Sequence, residues 1–168
     1  MNTVSVYNYF KFNNLCQNNG WNDSNIPSDK AFISICCTDE CIQGYILARD
    51  PDAIDEHWFK QDHDNVINLN FDDIIDDEMI SKTNEGTFTY RCISKADAKR
   101  LYNFIENNKG KDFIIHCRAG KSRSQGVARF IYDCYPEYEN GRPENPCLYP
   151  NVNVVAKLKR CYNGVDDE

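Results

Sequence analysis

Cys117 and Arg123 stand six positions apart in the run Phe113-Ile114-Ile115-His116-Cys117-Arg118-Ala119-Gly120-Lys121-Ser122-Arg123-Ser124. An apolar stretch there passes into a polar loop and then a helical pattern. That spacing suits a nucleophilic sulfur held inside a loop that cradles an oxyanion. A thiol attacks phosphorus only as the thiolate, so the loop must supply positive potential at the sulfur. Main-chain N–H groups from Arg118 to Arg123, opening a helix, form an anion nest, and the helix dipole adds partial positive charge. Gly120 permits the tight path. Arg123 falls where the helix begins, so its planar fork can curl back onto two phosphate oxygens at once, which a lysine cannot do.

Ser122 and Ser124 can donate hydroxyl hydrogen bonds to the sulfur and ease its departure from a phospho-cysteine, or serve as helix-start serines. His116 precedes the nucleophile and is read as orienting the loop, with a satisfied buried histidine as the alternative.

The run resembles the signature of the cysteine-dependent protein phosphatases: His-Cys, two residues, Gly, two residues, Arg, then Ser or Thr. It matches at His116, Cys117, Gly120, Arg123 and Ser124. The ending Ser-Arg-Ser looks like the compact dual-specificity branch. The larger tyrosine-specific enzymes more often end in Arg-Thr-Gly, whereas Gln125 follows here. The resemblance covers residues 113–124 and extends over flanking elements from about 66 to 135. It implies an α/β fold with a central, mainly parallel sheet flanked by helices, and hydrolysis of phosphate monoesters with neither cofactor nor metal. In such enzymes a general acid sits on a loop after a strand, some tens of residues before the nucleophile.

Carboxylates at Asp72, Asp73, Asp76, Asp77, Glu78 and Glu85 all precede Cys117. Ligands in open α/β sheets bind beyond the carboxyl ends of strands, which favours Asp73 and, second, Asp72, directly after Phe71. Paired aspartates equally serve as caps of the next turn.

Gly120-Lys121-Ser122 imitates the end of a nucleotide-binding loop, but that motif needs glycine five residues earlier, where Ile115 stands. Sulfurtransferases of the rhodanese type also hold a cysteine in an anion loop, without this His-Cys, Gly, Arg-Ser arrangement. Arg118 and Lys121 resemble the basic loop positions of phosphoinositide phosphatases, yet such residues also occur in protein-directed members. The substrate reading is therefore phosphotyrosine, with phosphoserine and phosphothreonine, on proteins. The alternatives are a phosphoinositide, an RNA 5′-phosphate, or a module that binds phosphate without cleaving it. Tyr7, Trp58 and Tyr90 are candidates to line a cleft.

The chain has 168 residues, 41% of them hydrophobic, which suits one catalytic domain. A formal net charge of −7 argues against stable nucleic-acid binding. Nine cysteines show no paired Cys-x-x-Cys spacing, so reduced thiols in a cytoplasm are expected, with no membrane span. Cys36, Cys37 and Cys41 lack the further pair that zinc spacing would supply and are read as core thiols.

The elements that must position this chemistry follow from periodicity. Alternation over 3–8 predicts a strand, and 9–17 a short helix stopping near Gly20. Apolar runs at 31–37, 66–71 and 112–117 predict strands buried on both faces. Residues 42–49 are read as an edge strand and 50–64 as a polar loop. A capping box at Ser94 opens a helix that runs to Lys109-Gly110 and is expected beside the catalytic strand. A second helix follows the loop and ends before Pro136. Residues 137–150, with three prolines, form a surface loop before a last helix around 154–161.

Overall fold

Three apolar runs lie side by side as parallel strands, because a strand covered on both faces needs apolar residues at every position. The computed structural model describes residues 2–47, 55–144 and 149–165. Its central sheet contains β1 (Val4–Tyr7), β2 (Lys30–Cys36), β3 (Val66–Asn70) and β6 (Asp112–His116), in the order β1-β6-β2-β3, all parallel. Every residue of β2 from Ala31 to Cys36 is buried.

Helix α1 (Tyr9–Asn19) covers one face of the sheet. Asn8 caps it by accepting from Lys11 N, and Gly20, at φ 66°, ends it. Phe12 and Cys16 pack there with Phe32, Phe59, Val66 and Ile114. Three helices, α3 (Lys95–Asn107), α4 (Arg123–Cys134) and α5 (Val152–Tyr162), cover the other face. Leu101, Ile105, Val127, Ile131 and Leu158 meet Ile33, Leu69, Phe113 and Ile115 there. Ser94 caps α3 by accepting from Asp97 N. That helix packs against α5 and β3 and shares the core with β6.

The stretch expected as an edge strand is instead helix α2 (Asp39–Leu47); residues 48 and 49 lie outside the described residues. Asp39 and Glu40 fill its first turn, where carboxylates complement the positive end of a helix. A hairpin absent from the sequence reading, β4 (Glu78–Thr83) with β5 (Gly86–Arg91), forms a separate antiparallel ribbon. The proline-rich stretch begins as a short 3-10 helix, Pro136–Gly141, and its residues 145–148, Cys147 among them, lie outside the described residues, as do 50–54 of the polar loop. Among the described residues no helix is long and apolar enough to cross a membrane.

Candidate active site

Four strands running in one direction deliver their carboxyl ends to one rim of the sheet. Cys117 follows β6, Cys37 follows β2, Phe71 to Asp73 follow β3 and Asn8 follows β1. The loop from Cys117 to Ser122 lies among them and opens into α4. Gly120 adopts φ 69°, and a Cβ there would come within 2.9 Å of the Tyr7 carbonyl and Asn8 N. The loop is thus pressed against the turn from β1 into α1, and Tyr9 N donates to the Arg118 carbonyl at 3.0 Å.

Cys117 is 2% exposed, at the floor of this loop. Its sulfur lies 3.0 Å from Ser124 Oγ and accepts the Gly120 N–H at 3.3 Å. The loop carbonyl of Gly120 accepts from Gln125 Nε2 at 3.1 Å. Arg123 is buried and held from behind, with Nη1 donating to the Phe71 carbonyl at 2.8 Å and lying 3.7 Å from Cys37 Sγ. Burial opposes its charge, but the Cys37 and Cys117 sulfurs and Asp55 outweigh that and hold it firmly protonated. Its Nε is buried without a hydrogen-bond partner. A fixed cation with an unspent N–H beside a buried thiol and helix-start N–H groups is chemically an oxyanion receptor.

The two aspartates after β3 part company. Asp72 is 2% exposed and accepts from Thr38 N at 2.9 Å, Thr38 Oγ1 at 2.8 Å and Arg91 N at 2.9 Å, so it ties β2, β3 and the hairpin together. Asp73 is exposed and reaches the signature loop, where its Oδ1 accepts from Ser122 Oγ at 2.7 Å and from Asn151 Nδ2 at 3.0 Å. Ser122 occupies the N-cap position of α4 without a capping bond. Its hydroxyl donates to Asp73, and the hydroxyl beside the sulfur is that of Ser124.

Arg118 is half-buried, while Ala119 and Lys121 are exposed at the rim. Tyr7 and Trp58 are partly buried against the core under α1, and Trp58 Nε1 donates to the Trp21 carbonyl at 2.8 Å. Tyr90 lies on β5.

Cys36, Cys37 and Cys41 are buried free thiols. Burial pushes the Cys36 thiol up; a hydrogen bond with Cys41 and then burial push Cys37 up. Ligand atoms of Cys37, Cys41 and Asp72 lie within 4.8 Å of one another. Three donors already occupy Asp72 and a guanidinium abuts Cys37, which makes the cluster a poor host for a cation.

Several contributors escaped the sequence reading. Asn151 clamps Asp73, and its main-chain N–H donates to the Ser122 carbonyl at 3.0 Å. Asp55 accepts from Cys37 N at 2.7 Å. Ser34 and His57 continue a line of hydrogen bonds outward from buried His116. An asparagine just before an apolar helical period is a capping pattern, which marks Asn151; the others depend on pairings between distant segments. No protein-family model, curated protein or solved structure matches the chain.

Proposed function

We propose that the chain is a cysteine-dependent phosphatase of the tyrosine and dual-specificity type, hydrolysing phosphate monoesters on proteins through a phospho-cysteine. The observation that carries this reading is the Cys117 sulfur between Ser124 Oγ and the Gly120 N–H, on a loop opening α4, with buried Arg123 at its end. The parallel sheet that presents this loop at its carboxyl rim supports a cysteine-phosphatase-like fold.

In the first step the Cys117 thiolate attacks phosphorus and the ester P–O bond breaks, while protonated Asp73 gives its proton to the departing oxygen. Both hydrogen bonds to Asp73 go to Oδ1, so the transferable proton belongs on Oδ2. In the second step water attacks phosphorus, Asp73 takes the water proton, and the P–S bond breaks. Ser124 then stabilises the leaving thiolate. Arg123 and the loop N–H groups meet the charge on the transferring oxygens before it develops, which is preorganised electrostatic stabilisation.

The test is turnover of p-nitrophenyl phosphate. Activity that disappears in Cys117→Ser, persists with a chelator and is inhibited by orthovanadate is expected. Equal rates for wild type and Cys117→Ser, or loss of activity with the chelator, overturn the reading. Parallel phosphopeptide, phosphoinositide and 5′-phosphorylated RNA substrates identify the ester class.

A further inference from the structure

Ser34 and His116 are register partners on β2 and β6, on the face covered by α1, where Phe12 stacks on the His116 ring at 4.2 Å between centroids. The Ser34 hydroxyl lies 2.6 Å from His116 Nε2 and 2.6 Å from His57 Nδ1. One hydroxyl carries one hydrogen, so it donates to one ring and must accept an N–H from the other.

The direction is decided at the far end of the chain of bonds. Asn70 Nδ2 donates to the Cys37 carbonyl at 3.0 Å, which turns Asn70 Oδ1 toward His57 Nε2 at 2.9 Å. His57 Nε2 therefore carries hydrogen, and the lone pair of neutral His57 is at Nδ1. Ser34 donates to that lone pair and accepts from His116 Nε2–H. The remaining nitrogen, His116 Nδ1, is then a bare lone pair, and it is buried without a hydrogen-bond partner.

We propose that His57 is a positioning residue for the nucleophile: through Ser34 it dictates which ring nitrogen of His116 carries hydrogen, and so holds the main chain that presents Cys117. The placement of the nucleophile rests on the phosphatase reading; the tautomer does not. A proton taken from solvent reverses the chain. Charged His57 donates from both nitrogens, Ser34 turns its hydrogen to His116 Nε2, and the hydrogen of His116 resides on Nδ1, so the chain carries one proton more than before.

His57 faces Ser34, Cys36 and Asn70, with Asp55 and Asp62 favouring its charge and Lys60 opposing it. Burial outweighs the carboxylates and holds it below the ordinary histidine value. His116 faces Ser34, Phe12 and the main chain of Cys117; burial opposes its charge most, the Cys117 main chain favours it, and protonated His57 and Arg123 oppose it. The neutral direction is therefore the one present at neutral pH.

The chain has three histidines, so ring nitrogens in protein labelled with 15N-histidine are resolvable, with His63→Gln identifying the third. Near pH 7 His116 is expected with hydrogen on Nε2 and none on Nδ1, moving to Nδ1 in step with the titration of His57. In Ser34→Ala the two rings lose this correlation. His116 found with hydrogen on Nδ1 at neutral pH in the wild-type protein, or unmoved as His57 titrates, overturns the proposal.

Alkylation at Cys117, read by mass spectrometry, gives the consequence for the nucleophile. His57→Phe, which keeps the bulk of the ring without its acceptor, is expected to slow alkylation about fivefold, the equivalent of one neutral hydrogen bond. His57→Asn, with an oxygen where Nδ1 stood, recovers most of it; equal rates for the two variants would show that only bulk matters. The tautomer measurement needs no turnover, so a protein inactive on phosphate esters but showing the coupled rings would sink the phosphatase reading alone.

Discussion

Asp73 and Ser122 are joined by a 2.7 Å hydrogen bond across the rim of the sheet, from the loop after β3 to the N-cap of α4. The bond brings a carboxyl group to the edge of the loop that holds Cys117. It also makes the Ser122 hydroxyl a holder of that carboxyl group, with Asn151 completing the clamp.

Replacing Asp73 by Asn is expected to lower kcat on aryl phosphates by about 10²–10⁴-fold and to remove the limb of the pH profile that reports the acid. Full turnover with an unchanged profile would remove Asp73 from this role. Asn151→Ala, which frees the carboxyl group without deleting it, should give a smaller loss.

Arg123→Lys keeps the positive charge but loses the fork, so kcat should fall by about 10²–10³-fold, the scale of losing a preorganised donor. Steady-state kinetics beside a thermal melt separate this from unfolding. An unchanged kcat would place the guanidinium away from the reacting oxygens.

Asp72→Ala should unfold the protein readily while telling nothing of catalysis. It strips the acceptor from Thr38 N, Thr38 Oγ1 and Arg91 N, and buried groups left unsatisfied cost about 1–3 kcal/mol each. Urea denaturation gives the loss; an unchanged midpoint would contradict the tie between β2, β3 and the hairpin.

Gly120→Ala places a Cβ 2.9 Å from the Tyr7 and Asn8 main chain at positive φ. Such strain costs about 1–3 kcal/mol, and the loop must shift to relieve it. Both a lower denaturation midpoint and a lower kcat are expected.

Stability should fall with acid through His116. Burial depresses its folded value from 6.5 to about 3, so below the unfolded value the unfolded chain binds a proton that the native chain refuses. This loss is absent above pH 6.5 and grows as pH falls toward 3, with a slope of at most about 1.4 kcal/mol per pH unit. Urea midpoints for wild type and His116→Gln should converge as the pH falls through this window. A constant difference would show that His116 takes up its proton alike in the folded and unfolded states.

Much of the scaffold was legible because it rests on local patterns. Unbroken apolar runs marked β2, β3 and β6, Ser94 marked the start of α3, and Gly20 the end of α1. The failures were places where local pattern and tertiary context disagree. Residues 42–49 mix Ile, Tyr and Leu in a way that suits a strand, but Asp39 and Glu40 start a helix just before them. The hairpin of β4 and β5 is largely exposed, so it has little of the alternation that burial imposes.

The spacing of His116, Cys117, Gly120, Arg123 and Ser124 was determined by the sequence alone, because a loop entering a helix fixes the relations among neighbours within a single turn. The separation of Asp72 from Asp73, the grip of Phe71 and Cys37 on Arg123, and the line from Asn70 through His57 and Ser34 to His116 were decided only by tertiary structure. Each depends on which strands lie side by side and at what register, and a one-residue slip would turn every one of those side chains to the opposite face.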